Sequence, residues 1–159
     1  MIERKIKSIN RLRKIVNLLK SKGKRIVFTN GCFDILHYGH AKYLEEAKKK
    51  GDILVVAVNS DSSVRRLKGN RRPVVREKER VRLVSALESV DFVTVFSDAT
   101  PIKVITALKP DVLVKGGDWK NSNIVGREFV ESYRGKVLAI PYVSGLSSSS
   151  LIKKIAEKF

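Results

Sequence analysis

A single cysteine in 159 residues, Cys32, can neither close an internal disulfide nor build a thiolate metal site, so redox and structural-zinc chemistry are excluded. Histidine is nearly as scarce: only His37 and His40 occur, and with no further His or Cys to join them they fall short of a zinc ligand set. No apolar run approaches the roughly 18 residues of a membrane span, and no apolar stretch near the N-terminus leads into a small-residue cleavage site. A cytoplasmic protein is therefore expected. Glycine and proline, at 10 and 4 residues, are too few for a collagen-like or low-complexity chain. Neither GxxxxGK[ST] nor GxGxxG is present, which removes P-loop ATPases and dinucleotide oxidoreductases. The last shortage is of acidic residues, 16 against 33 Lys and Arg, for a net charge of +17.

That excess sits in two places. Residues 1–25 carry +9 and residues 65–82 carry +7, leaving +1 for everything else. Two basic segments on a neutral body point to anionic partners: nucleic acid, an acidic membrane surface or phosphorylated small molecules. Against a nucleic-acid-binding module, aromatics make up 7% of the chain and are not interleaved with the basic residues. The first segment spaces Ile2, Ile6, Ile9, Leu12, Ile15, Val16 and Leu19 for one amphipathic helix over residues 2–20, ended by Gly23. It is read as an N-terminal helix, residues 1–23, on a domain of residues 24–159. The second contains Arg65, Arg66, Lys68, Arg71 and Arg72 with no acid among residues 65–72, and is read as a mobile loop that a bound phosphate would order.

The 43% hydrophobic content is enough for one core. Arg25–Thr29 and Ile53–Val58 are β-branched runs of strand length, as in strands covered on both faces, and a helix over Tyr38–Lys50 lies between them. Helix Glu77–Glu88, strand Phe92–Phe96, a helix capped by Thr100 with Pro101 at its first position, strand Val112–Val114, a helix over Ile124–Tyr133, strand Val137–Ile140 and helix Ser148–Lys158 follow. Such alternation predicts an α/β fold, a doubly wound parallel sheet with its ligand crevice at the carboxyl ends of the strands.

The unusual polar residues fall at those ends. GCFDILHYGH, residues 31–40, runs from strand one into a helix start, where free N–H groups and the dipole favour an anion. His37 and His40 can donate to phosphate oxygens there, and Gly31 and Gly39 would let phosphates near the backbone. This string resembles the HxGH signature of the nucleotidyltransferase superfamily. Three further blocks follow in that superfamily's order: Val58-Asn59-Ser60-Asp61 with Arg66-Leu67-Lys68-Gly69, Arg72-Pro73-Val74 and Glu79-Arg80; Leu113-Val114-Lys115-Gly116-Gly117-Asp118-Trp119; and Gly145-Leu146-Ser147-Ser148-Ser149-Ser150-Leu151-Ile152 in place of an ISTT-like motif. Within the superfamily these blocks look most like heptose 1-phosphate adenylyltransferases, here without the sugar-kinase segment to which that activity is fused in some bacteria, hence the free-standing form. The cytidylyltransferase pattern has an arginine just before its ISTT motif, where this chain reads Pro141-Tyr142-Val143-Ser144.

The resemblance implies a Rossmann-like fold and in-line attack of a sugar 1-phosphate on the α-phosphate of ATP, with loss of pyrophosphate and no covalent enzyme intermediate. It implies catalytic roles for His37, His40 and Lys68. Nucleotide contacts would come from Gly31, Cys32, Phe33, Gly39, Arg80, Gly117, Asp118, Ser147, Ser148 and Ser149, and acceptor contacts from Asp34, Asp61, Lys68 and Lys115, with Asp34 also orienting the histidine loop by hydrogen bonding. Trp119 would cover a ligand or cap the sheet, and Arg65, Arg66, Arg71 and Arg72 read equally as surface charge. A divalent cation such as Mg²⁺ is expected with ATP, with no protein cage for it in the sequence. Small-molecule substrates, no nucleic acid, and a homodimer or larger assembly complete the expectation; transfer from CTP or ATP to another small phosphate, such as glycerol 3-phosphate or FMN, is the alternative.

Overall fold

A computed structural model describes residues 1–117 and 123–159. Five strands form one all-parallel sheet in the order β3-β2-β1-β4-β5: β1 (Ile26–Gly31), β2 (Ile53–Asn59), β3 (Phe92–Phe96), β4 (Val112–Gly116) and β5 (Lys136–Ile140). The register pairs Val27 with Leu54 on one side and with Val112 on the other, so β1 lies at the centre. The sheet grows outward in both directions from the β1/β4 pair, and this reversal opens a crevice at the carboxyl ends of those two strands. Alternate strand residues feed opposite faces. Val27, Leu54, Val56, Val58 and Val112 pack with Leu44 and Ala47 of α2 (Tyr38–Lys48) and Val81 and Val84 of α4 (Glu77–Ala86). Ile26, Phe28, Val55, Ala57 and Leu113 pack on the other face, against α1 (Ile9–Ser21), α5 (Ile102–Leu108) and Val130 of α6 (Arg127–Ser132). The fold is the doubly wound, Rossmann-like α/β architecture that the alternation of elements implies.

Three elements differ from expectation. The helix expected over residues 2–20 is broken: Ile2–Lys5 make one 3₁₀ turn, and Ile6 is extended (φ −82°, ψ 122°) and bridges Val93. Lys7 N donates to Val93 O at 2.9 Å, so pairing with the sheet-edge strand β3 outweighs helical continuation. α1 then buries Leu12 and Val16 completely, about 1.5–3 kcal/mol of transfer free energy for each such side chain. The second difference is the basic loop, which is half helix. α3 (Asp61–Lys68) starts at Ser60, whose side chain accepts from Ser63 N, and ends at Gly69 with φ 90°. Arg66 donates to the carbonyl of Ser97, and Arg72 pairs with Asp34, so two of the supposedly free charges have partners. Third, Pro101 itself caps α5, with Ile105 N donating to its carbonyl, so Thr100 lies one residue outside.

Candidate active site

A cavity of about 660 Å³ opens where the topology reverses. Two helices start at it. α2 begins after His37, whose side chain makes no capping bond, and α7 (Ser148–Lys158) begins after Ser147. The two starts are tied together, since Ser148 Oγ donates to Ile35 O at 3.3 Å and a Cβ at Gly39 would lie 3.4 Å from that of Leu146. Both N-termini therefore offer positive dipole ends to one space.

His37 and His40, three apart across the helix start, stack with ring centroids 3.9 Å apart and planes inclined by 26°. Both nitrogens of His37 and Nδ1 of His40 are buried without a hydrogen-bond partner. Burial lowers the His37 pKa; burial, assisted by His37 and Lys68 and opposed by a hydrogen bond with Ile35, holds His40 down to about 4. Both shifts favour the neutral imidazole, which carries a single N–H donor. Buried polar nitrogens without partners are costly in a folded protein, and these stand beside an open cavity.

Cations face the imidazoles from two elements. Lys68, in the last turn of α3, is exposed and lines the cavity. Lys115, near the end of β4, donates to Asn30 Oδ1, and burial, countered by Cys32, brings its pKa down to about 8. At α7 the hydroxyls divide their work: Ser147 and Ser150 form a capping box, whereas that of Ser149 makes no hydrogen bond among the described residues. Gly31, Cys32, Phe33, Asp34, His37, Gly39, His40, Lys68, Lys115, Ser147, Ser148 and Ser149 all line the cavity.

Other expected site residues do different work. Arg80 is 0% exposed, with Nε on Val75 O, Nη1 on Cys32 O and Nη2 on Asp61 Oδ1; no face remains for a phosphate. Asp61 is held by that bond and by Glu77 N at 2.9 Å, and does not line the cavity. Asp34, 1% exposed, accepts from Val74 N, Val75 N and Arg72, which saturates its carboxylate and makes it a loop anchor rather than a substrate ligand. Burial raises its pKa, but those bonds outweigh it and the net shift is downward. The space at Gly31 and Gly39 is filled by the protein's own rings, since a Cβ would sit 3.0 Å from Phe33 and from His37 respectively. Burial pushes the Cys32 thiol up. Gly117 (φ 123°) lies at the edge of the site outside the cavity lining; Asp118 and Trp119 lie outside the described residues. Among the described residues no three His, Cys, Asp or Glu side chains could together hold a metal ion.

Among the cavity residues that sequence reasoning passed over are Asn30 and Tyr142. Asn30 fixes Lys115, and Tyr142, 70% exposed, lies against Gly116, where a Cβ would fall 2.5 Å from the ring. Their signal was position: each is at or just beyond the carboxyl end of a strand.

Comparison with known proteins shows which family the chain resembles. A family model described as cytidylyltransferase-like matches residues 28–155. The bifunctional protein HldE of Trichlorobacter lovleyi is 50% identical over 155 residues, covering 98% of this chain and 32% of that protein. Its counterpart in Geotalea uraniireducens is 53% identical over 151 residues, 95% of this chain and 31% of that one. The chain therefore spans about a third of the length of these relatives. Among solved structures, a lipopolysaccharide core biosynthesis protein from Thermoplasma volcanium superimposes with a TM-score of 0.62 at 34% identity, covering 76% of this chain and 98% of that one. A pantoate-beta-alanine ligase from Francisella tularensis, at TM-score 0.64 and 17% identity over 96% of this chain and 76% of that one, shares the fold.

Proposed function

The chain belongs to the cytidylyltransferase-like family and is a nucleotidyltransferase, and from that premise we propose that it transfers AMP from ATP to heptose 1-phosphate, giving an ADP-sugar. An oxygen of the sugar phosphate forms a bond to the α-phosphorus while the bond to the β-phosphate oxygen breaks and pyrophosphate leaves. The observation that carries this reading is the stacked imidazole pair, with three buried ring nitrogens free of partners, between two helix N-termini. His37 and His40 donate to the α-phosphate as charge grows on it; the α7 start with Ser149 takes the β- and γ-phosphates; Lys68 and Lys115 neutralise the acceptor side. Any Mg²⁺ would come with the triphosphate and its waters, because Mg²⁺ favours phosphate and water oxygens and no cluster of carboxylates among the described residues awaits it. The identity to a lipopolysaccharide core biosynthesis protein supports a sugar phosphate as acceptor. The same reading carries cytoplasmic work on ATP and a homodimer or larger assembly, which light scattering would measure.

A pyrophosphate-release assay of nucleotides against phosphorylated acceptors tests the function. ATP is expected to exceed CTP by at least about tenfold in kcat/KM with heptose 1-phosphate. A preference for CTP with glycerol 3-phosphate would replace the proposal, and no release with any pair would end it.

A further inference from the structure

Arg80 heads the fully buried side chains of the described residues, and all three of its guanidinium nitrogens are spent inside the protein. Burying a guanidinium is costly unless every donor finds an acceptor. What distinguishes this one is its second acceptor, the carbonyl of Cys32, at 2.6 Å.

The next residue, Phe33, has φ 48°, a left-handed conformation that side chains with a Cβ seldom adopt and that persists only where the surroundings impose it. The surroundings are two anchors onto one segment. Arg80 bridges Cys32 O to Val75 O, and Asp34 accepts from Val74 N and Val75 N, so residue 33 is held from both sides. The turn throws the Phe33 ring back over Gly31, where a Cβ would meet it at 3.0 Å, and edge-on against His40, with centroids 5.3 Å apart at 62°. His40 in turn stacks on His37.

We propose that Arg80 is a positioning residue for nucleotidyl transfer: without touching either substrate, it holds the Cys32 carbonyl, and through the left-handed turn at Phe33 it sets the aromatic ring that aims His40 and His37 into the cavity. This deepens the proposed function and rests on it for the kinetic readout. The link runs through four contacts, each between neighbours, and a lysine at position 80 could satisfy one acceptor geometry but not three.

The experiment compares Arg80→Lys and Phe33→Ala with the parent chain, folding being monitored by near-UV circular dichroism. In both variants kcat is expected to fall about 10²-fold, the scale of an ångström of misplacement, while KM for ATP moves less than about threefold. NMR titration is expected to show the His40 imidazole rising from about 4 toward its ordinary value as the loop loosens. A raised KM with unchanged kcat in Arg80→Lys would make Arg80 a direct ligand contact and overturn the proposal, as would normal kcat and an unmoved His40 titration in Phe33→Ala. If Arg80→Lys fails to fold, Phe33→Ala decides, because it leaves the guanidinium bonds in place. A parent chain that releases no pyrophosphate would refute the transfer function alone, and the His40 titrations would still decide the positioning.

Discussion

At the residue scale, the candidate site centres on two half-buried imidazoles, three of whose four ring nitrogens are buried without a partner. No other side chain at the α2 start offers donors of this kind, so His37→Ala and His40→Ala are each expected to fold normally and to lower turnover about 10²-fold or more, the range for losing one preorganised donor. Normal steady-state turnover in both would remove the site. Their burial has a thermodynamic consequence as well. An unfolded histidine takes up its proton near pH 6.5, whereas folded His40 waits until about 4. Between those values the unfolded state binds more protons, so stability falls as pH drops from about 6.5 to about 4. Calorimetry is expected to show a declining Tm across that window, with a shallower decline in His40→Ala; equal slopes would mean that the ring titrates normally. Asp34 adds a separate loss at lower pH, since the pKa of its carboxyl lies below 3.8 in the fold and its stabilisation disappears only as pH falls through that lowered value.

At the element scale, α7 combines a structural cap and a ligand surface in adjacent serines. The Ser147 hydroxyl accepts from Ser150 N, whereas that of Ser149 is unused. Ser147→Ala is therefore expected to cost about 1 kcal/mol of stability, a fall in Tm of roughly 2–4 °C for a chain of this size. Ser149→Ala is expected to leave Tm unchanged and to raise KM for the nucleotide several-fold, as loss of one phosphate hydrogen bond would. Thermal melts and steady-state kinetics on the two variants separate the roles, and equal Tm values in both would show that the capping box contributes nothing. The α7 start was legible because a serine run opens an apolar helical pattern at Leu151, Ile152 and Ile155. α3 was not, although Ser60 as cap, Asp61 in its first turn, cations in its last turn and Gly69 beyond it all mark a helix. In eight residues only Val64 is apolar and buried, so hydrophobic periodicity had too little length in which to show.

At the scale of the whole molecule, the chain carries a net charge of +17, and two lysines, Lys68 and Lys115, line the cavity. A strongly positive body draws anionic substrates by long-range attraction that salt screens beyond about 8–10 Å. For the parent chain, kcat/KM is expected to fall as sodium chloride rises while kcat holds. Lys68→Ala, an exposed side chain at the cavity mouth, is expected to raise KM and to lower kcat with no change in Tm. Unchanged transfer in Lys68→Ala, together with salt-sensitive binding of a polynucleotide, would assign the basic segments to nucleic acid instead.

Strand order along the chain, strand positions, the parallel sheet and the histidine-bearing helix start were determined by sequence, because apolar periodicity, caps and strand ends are local properties; α3 and the break before α1 were not. Tertiary structure alone decided which charges are spent inside the protein. Arg80 and Asp61 read in the sequence as ligands, like any charged residue beside a motif, and Asp34 as a ligand that also orients its loop. Their partners are the carbonyl of Cys32, the backbone amides of Glu77, Val74 and Val75, and the side chain of Arg72, and most of these lie 16 to 48 residues away along the chain. Lys68 and Ser149 carry the same kinds of group and remain open to the cavity, for a charge or hydroxyl is free only when folding brings nothing of its own within reach.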